Sequence, residues 1–536
     1  MSILTGFARM ILWVSPALAM GLAGRQLMQF YQLSSYQHAG YLRALMRLPV
    51  KSWWPGLALC VISIFFMYVA SLSVSWHPVL SALVMFLCAG MIFLSAFVIG
   101  LIAYREKKVK TRLVMTARVK RMYAALTGIA LLIAWLIHLI SPVMGLTALI
   151  PGFLPLFVLL ASLLMWPFEK TLQMRYRKGA EEILDNYKAG GLHVIGITGS
   201  YGKTTVKSIL ASMLRQQAPT LASPASFNTP LGLSRCIREE LGQQHLYFIA
   251  EMGARHRQDI RVLSRMIKPE AGILVSIGKQ HLQTLGSEES VRDTKYELIK
   301  GLPKDGFAVF SDDGKYVTEC YQKTTISKAL VGKEGGDLWA EDIALSPSGS
   351  AFTICLPDQR RIACETRLAG AHNIRNILLA AEMALHFGVS HERVKQGILE
   401  AYPPASRLQS SVHPRGYTII NNGFNSNPDS SRVALQVLSS YPGRHIVVTP
   451  GFIELGRQEM QANRELGRDI AGVARMVMLI GAKHTRPIKE GLLEGGFKAE
   501  DIMVFSSLAK ANEFIADTFG EGDVVLYEND LPDHYG

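Results

Sequence analysis

Four apolar runs in the first third of the chain, each long enough to cross a bilayer, constrain the fold more than any other feature. Trp53–Ser75, Val79–Tyr104 and Met122–Ile140 are nearly free of charge, and Met144–Phe168 is a fourth run interrupted by Pro151 and Pro155. Roughly 20 apolar residues span the hydrocarbon core as a helix, so residues 1–170 are expected to form an α-helical membrane domain. A weaker candidate, Ile3–Ala23, carries Arg9 and Pro16. Its Ala17–Ala19 stretch also reads as a signal-peptide cleavage site, and cleavage would leave four spans with the basic connections outside. The connections argue for five. Residues 24–52 hold Arg25, Arg43, Arg47 and Lys51 with no acid, and residues 105–121 hold eight Lys or Arg against Glu106 alone. The turns near His77 and Pro142 are short and uncharged. Basic connections stay cytoplasmic, so the expectation is a multi-pass protein of the inner (cytoplasmic) membrane, N-terminus outside, with the lipid bilayer as a partner and everything after Phe168 in the cytoplasm.

This distribution disposes of the basic balance. The chain carries +13, but residues 1–178 account for +15 and the remainder for −2. The cytoplasmic part therefore lacks the positive footprint of a nucleic-acid binder. Six scattered cysteines without CxxC spacing suit a reducing compartment.

The second constraint is GITGSYGKTT, Gly196 to Thr205. It follows an apolar run, Leu192–Ile197, and opens a helical pattern over Thr204–Leu214, so it stands where a strand turns into a helix. There, backbone N–H groups over Gly199, Ser200, Tyr201, Gly202 and Lys203 can wrap a polyphosphate, aided by the helix N-terminus. Lys203 would reach the terminal phosphates and Thr204, followed by Thr205, would ligate Mg²⁺. The full P-loop pattern has Gly where Ile197 stands, so this is the shorter TGxxGKTT form. Lys170–Lys188 reads as a polar linker helix (171–190) ended by Gly190–Gly191. Strands and helices then alternate through His193–Ile197, Tyr247–Glu251, Asp259–Met266 and Ala271–Ile277, which predicts an α/β domain with a mainly parallel sheet and ligands at its carboxyl edge. Glu251 ends one strand, placed to hold Mg²⁺. His281 follows the next, although an isolated histidine is more often solvated or structural. Lys295 and Glu297 lie on a helix, Ser290–Lys300, where ordinary charge pairing is the default.

In this order the features resemble the Mur ligase family, ATP-dependent amide-forming enzymes that extend cell-wall peptides. TGSYGKTT resembles the family's nucleotide loop, EMGA its acidic strand end, IGKQHLQTLGS its metal-binding histidine segment, and TKYE the Lys-x-Glu whose lysine is carbamylated. GAHNIRN, Gly370–Asn376, resembles the helix start whose first Asn, here Asn373, contacts the nucleotide. SFNTPLG carries Asn228 and Thr229 over as substrate contacts, and PPASRLQ carries Arg407 over as the hinge arginine. The resemblance implies an ATP-binding domain over 191–406, a Rossmann-like C-terminal domain over 407–536, ATP with two Mg²⁺ as cofactors, metal ligation by Thr204, Glu251, His281 and Lys295, and catalysis by Lys203, Lys295 and His281 through an acyl phosphate. Carbamylation of Lys295 requires a neutral amine.

Within the family, IINNGFNSNPDS (Ile419–Ser430) and TPGFIELG (Thr449–Gly456) resemble the members that add D-Ala-D-Ala. Three departures stand out. Asn421 and Asn422 replace acidic residues, the tail from Tyr527 replaces a Lys-Gly-Ser-Arg-like loop, and membrane spans occupy the place of the uridine-nucleotide domain. A membrane-anchored ligase is therefore expected to take a cell-wall peptide or lipid-linked acceptor and an amino acid or dipeptide. The alternatives are a poly-γ-glutamate-synthase-like ligase and a nucleotide-binding scaffold whose catalysis has decayed. Transport is disfavoured, since the spans hold almost no ionisable residue besides His138 and Arg9.

Overall fold

The computed structural model describes residues 3–34, 36–47, 49–105, 113–140, 144–224, 227–312, 314–346, 349–403, 408–423, 426–453, 455–482 and 484–529. The chain divides into two compact units, the first ending at Met174 and the second beginning at Arg175.

The first unit contains α1 (Ile3–Ala23), α2 (Arg25–Leu33), α3 (His38–Arg47), α4 (Pro49–Leu72), α5 (Pro78–Arg105), α6 (Ala117–Ile140), a 3₁₀ segment (Met144–Phe153) and the start of α7 (Leu154–Ala189). Among the described residues five helical segments are long and apolar enough to cross a membrane, Ile3–Ala23 included. Side chains such as Phe65, Leu87, Phe97, Leu132 and Trp135 face outward, an arrangement that costs free energy in water and none in hydrocarbon. Helices α1 and α5 approach so closely that a Cβ on Gly100 would lie 2.4 Å from the Leu22 carbonyl oxygen. Near the start of α6 a basic residue is used internally: Arg121 donates to Glu169 at 2.7 Å, and Glu169 is 5% exposed.

Two differences from the sequence reading appear here. The basic connection after Ala23 is mostly helical, because α2 and α3 form within it. From Leu154 onward the last apolar run and the polar linker are one helix, α7, not two. Pro155 is tolerated because it lies in the first turn, where its N–H would have no partner. Gly191 closes α7 with φ +98°.

The second unit is α/β. Its first sheet uses β1 (His193–Thr198), β2 (Thr220–Ala222), β3 (Tyr247–Glu251), β4 (Ala271–Leu274), β5 (Phe307–Ser311) and β6 (Ser327–Val331), all parallel in the order β2-β3-β1-β4-β5-β6. Apolar cores cover both faces, as a parallel sheet requires. The intervening helices are α8 (Lys203–Arg215), α9 (Pro230–Glu239), α10 (Asp259–Ile267), α11 (Leu282–Leu285), α12 (Glu288–Lys300) and α13 (Lys315–Lys323). The chain runs from β1 outward to β2, returns to β3, then crosses to β4 on the other side of β1. The crevice at the end of β1 is thus a topological switch point, where α/β sheets bind ligands.

An antiparallel sheet of β7 (Trp339–Ser346), β8 (Gly349–Cys355) and β9 (Arg361–Thr366) follows, then α14 (Ala371–His386) and α15 (His391–Leu399). The last part holds β10 (Gln409–Val412), β11 (Thr418–Asn422), α16 (Pro428–Ser439), β12 (Arg444–Thr449), α17 (Glu459–Ala471), β13 (Met476–Ile480), α18 (Arg486–Glu494), β14 (Ile502–Phe505), α19 (Leu508–Thr518) and β15 (Asp523–Glu528). Its sheet order is β10-β11-β15-β12-β13-β14, parallel except for the β10 edge.

Candidate active site

The loop between β1 and α8 is fixed from both sides. Gly202 has φ +80°, and a Cβ there would lie 2.8 Å from both Asn376 Oδ1 and Val275 Cγ1, so glycine is required twice over. A Cβ on Gly199 would come within 3.0 Å of the Ser276 N. The backbone N–H of Ser200 donates to the Ser276 carbonyl at 2.9 Å, the N–H of Tyr201 donates to Ser276 Oγ at 2.9 Å, and the Gly278 N–H donates to Ser200 Oγ at 2.9 Å. The segment after β4 therefore clamps the loop. Lys203 Nζ folds back onto the Gly199 carbonyl at 2.7 Å, and Thr205 is buried.

At the end of β3, Glu251 is 2% exposed and collects three side chains. Thr204 Oγ1 donates to its Oε2 at 3.0 Å, Lys207 Nζ to the same oxygen at 2.9 Å, and Asn228 Nδ2 to Oε1 at 3.3 Å. Burial by itself would raise the carboxyl's pKa; the Lys207 and Lys203 cations, with the Lys207 and Thr204 hydrogen bonds, outweigh it and hold the group ionised below its ordinary range. Lys207 was absent from the sequence reading. Its spacing of four from Lys203, which puts both on one face of α8, was the available signal. Thr229, by contrast, caps α9 by accepting the Gly232 N–H at 3.2 Å; it fixes the loop that carries Asn228.

Lys295 reaches the same place from α12. It is 2% exposed, and its Nζ donates to the Gly199 carbonyl at 2.8 Å, so that oxygen receives both Lys203 and Lys295. Burial, reinforced by the Lys203 cation, drives its pKa well down. Glu297 points elsewhere, pairing with Arg261 at 3.0 Å. His281 stands at the N-terminus of α11 in a left-handed conformation, φ +52°. Among the described residues no three His, Cys, Asp or Glu side chains converge as a metal-holding group, so His281 is not gathered with two further ligands of those types. The pair Thr204 and Glu251 does suit Mg²⁺, which takes hard hydroxyl and carboxylate oxygens and keeps several waters.

Asn373 and Asn376 open α14 beside the loop, with Asn376 Nδ2 donating to Asn373 Oδ1 at 3.2 Å. The α16 start also faces it, because a Cβ on Gly278 would lie 2.6 Å from Asp429 Oδ2 and 3.2 Å from the Tyr201 ring. Substituting Gly278 by Ala should consequently push α16 from the loop and weaken nucleotide binding, measurable as a raised Kd for a fluorescent ATP analogue. Arg407 lies outside the described residues. Glu528, which the sequence reading did not single out, is fully buried at the end of β15 next to Asn422.

The Mur ligase middle domain matches residues 197–384, and the Mur ligase glutamate ligase domain matches residues 406–527. A UDP-N-acetylmuramoyl-tripeptide–D-alanyl-D-alanine ligase of Mycobacterium tuberculosis is 33% identical over 332 residues, covering 58% of this chain and 64% of the relative, so the chain spans less than two thirds of that relative's length. The protein of the same name from Mycobacterium leprae is 30% identical over 379 residues, covering 65% of this chain and 73% of the relative. A crystal structure of MurF from Acinetobacter baumannii shares 27% identity at a TM-score of 0.61, covering 67% of this chain and 77% of that one. With a nucleotide-loop fold, two Mur ligase domains matched in order and a relative covered over 73% of its length, the chain belongs to the Mur ligase family.

Proposed function

We propose that the chain is an ATP-dependent, ADP-forming amide ligase that activates a carboxylate as an acyl phosphate and passes it to an amine in cell-envelope peptide synthesis. One arrangement carries the reading: Lys203 and Lys295 meet at the Gly199 carbonyl while Thr204 touches Glu251. In this assignment the loop N–H groups cradle the polyphosphate, and Lys203 leaves the Gly199 carbonyl for the terminal phosphates. Thr204 and Glu251 would hold Mg²⁺, whose charge offsets that of the phosphates when bound. Lys207 keeps Glu251 ionised for that task. His281 and a carbamylated Lys295 are assigned to a second ion, Asn373 and Arg407 to the nucleotide, and Asn228 to the acceptor.

Residues 1–170 are assigned to the membrane, 171–190 to the linker helix, 191–406 to the ATP domain and 407–536 to the C-terminal domain. Five apolar helices and outward-facing Phe and Leu side chains support anchoring; the basic connections support a cytoplasmic catalytic face. An enzyme held at the membrane by residues 1–170 fits a lipid-linked acceptor. The Mycobacterium tuberculosis relative is named for a muramoyl-tripeptide and D-alanyl-D-alanine, and that pair is the first to test.

The test is phosphate release and product mass for purified protein with soluble and lipid-linked peptide acceptors and a panel of amino acids and dipeptides. ADP formation that requires both substrates supports the reading, and ATP binding without turnover on any pair favours the scaffold. For topology, a reporter fused after Asp533 should be active inside the cell, whereas labelling of a cysteine at position 110 by an impermeant reagent added outside would overturn the orientation.

A further inference from the structure

Of the two C-terminal departures from the D-Ala-D-Ala-adding pattern, Asn421–Asn422 and the start of the tail, Tyr527–Asn529, lie together. Strands β11 and β15 are parallel neighbours with Asn422 in register with Glu528. Asn422 Nδ2 donates to Glu528 Oε2 at 2.9 Å, and Ser426 Oγ is hydrogen-bonded to Oε1. The next residue, Asn529, accepts the Ser426 N–H at 3.2 Å and donates to the Gly451 carbonyl at 2.6 Å. Just beyond Ser426, Asn427 caps α16, accepting the N–H groups of Asp429 and Ser430. Asp429 is the side chain packed against Gly278 beside Tyr201. A chain of hydrogen bonds thus runs from Glu528 to the helix start that faces the phosphate-binding loop.

We propose that Glu528 is a positioning residue, a buried carboxyl that latches Ser426–Ser430 and so sets where the α16 start meets the Gly199–Gly202 loop. Among the described residues no cation serves it. Asn422 comes from β11, Ser426 from the loop, Ser431 from α16 and Asn529 from the strand end, and none of them titrates. A buried carboxylate without a cation is costly, and the group keeps its proton instead. Burial raises its pKa from 4.5 to about 7, against the hydrogen bonds of Ser426 and Asn422. The latched state favours the protonated form, so the latch is tightest below about pH 4.5 and loosens as pH rises from there through about 7.

The inference rests on the ligase reading for its kinetic consequence but not for its structural one, so the test uses two readouts on the full chain in detergent. Hydrogen exchange over Ser426–Ser430, corrected for the intrinsic pH dependence, should rise in the parent between about pH 4.5 and pH 7. Glu528→Gln, which keeps a neutral partner for both Asn422 and Ser426, should hold exchange low and flat with pH. Glu528→Ala should raise it at every pH and raise the KM for ATP about tenfold, the loss of one hydrogen bond to a buried group, with kcat little changed. If the Ala variant does not fold, Ser426→Ala removes the loop's side of the latch and should loosen the same five residues. Unchanged exchange in the variants, a Gln variant that behaves like Ala, or loosening spread evenly over the C-terminal sheet overturns the proposal. Absence of ATP turnover in the parent would count against the ligase reading and leave the exchange result to decide this one.

Discussion

Lys203→Ala is expected to lower ATP-dependent turnover by about 10²- to 10³-fold, the scale of losing one preorganised charge at a developing phosphate, while thermal unfolding stays near that of the parent. The asymmetry has a structural cause. Lys203 Nζ bonds to carbonyls of its own loop, Gly199 and Ser200, and Ser276 and Gly278 hold that loop independently, so the fold gives up little when it goes. Lys207→Met is the contrasting variant. It strands the Glu251 carboxylate, 2% exposed, without its 2.9 Å partner. Removing one member of a buried pair costs about 3–5 kcal/mol, so this variant should lose both stability and turnover. The pair also sets an acid limit. Because Glu251 is held below 4.5 in the folded state, its contribution is complete above that value and disappears as falling pH protonates it. Unfolding curves and phosphate release for the two variants check this together. Near-parental ligation by Lys203→Ala would sink the phosphate role, and an unshifted unfolding curve for Lys207→Met would show that Glu251 is not held by that cation.

The parts of this fold legible in the sequence are those whose signal is local. Met476–Ile480 and Ile502–Phe505 are short apolar runs between polar turns, and β13 and β14 have those bounds. The Gly199–Thr205 stretch announces itself by the change from a strand's period to a helix's. The three-stranded sheet β7–β9 was missed because most of β7 is exposed, leaving no apolar alternation to read. Lys207 and Glu251 lie 44 residues apart and Asn422 and Glu528 106 apart. Such pairings depend on strand order and register, which no single window of sequence contains. Asn421 and Asn422 looked like a simple loss of acid; only the β11–β15 register places a carboxyl, that of Glu528, opposite Asn422. In the same way the charge pairing expected for Lys295 and Glu297 holds for Glu297 alone, because α12 turns Lys295 inward to Gly199 and Glu297 outward to Arg261.

That inward turn gives the second large prediction: Lys295→Ala should abolish ligation, and Lys295→Arg should not restore it. Carbamylation joins the amine nitrogen to the carbon of CO₂ and releases one proton, so it needs the amine in its neutral form. An exposed lysine is a cation at neutral pH. Lys295 is buried and feels the repulsion of the Lys203 cation, and both effects favour loss of its proton. The product would be an anion in place of a cation beside the Gly199 loop, which suits a site that must hold metal charge. Arginine keeps its proton at any working pH and cannot take up CO₂. A short carboxylic acid at high concentration should recover part of the Lys295→Ala activity by putting a carboxylate in the vacated space, and it should do nothing for the parent. Mass spectrometry under native conditions gives an independent readout, a CO₂ adduct present in the parent and missing from both variants. Parental activity in Lys295→Arg would mean that the residue serves as a cation, and the carbamate reading would then be wrong.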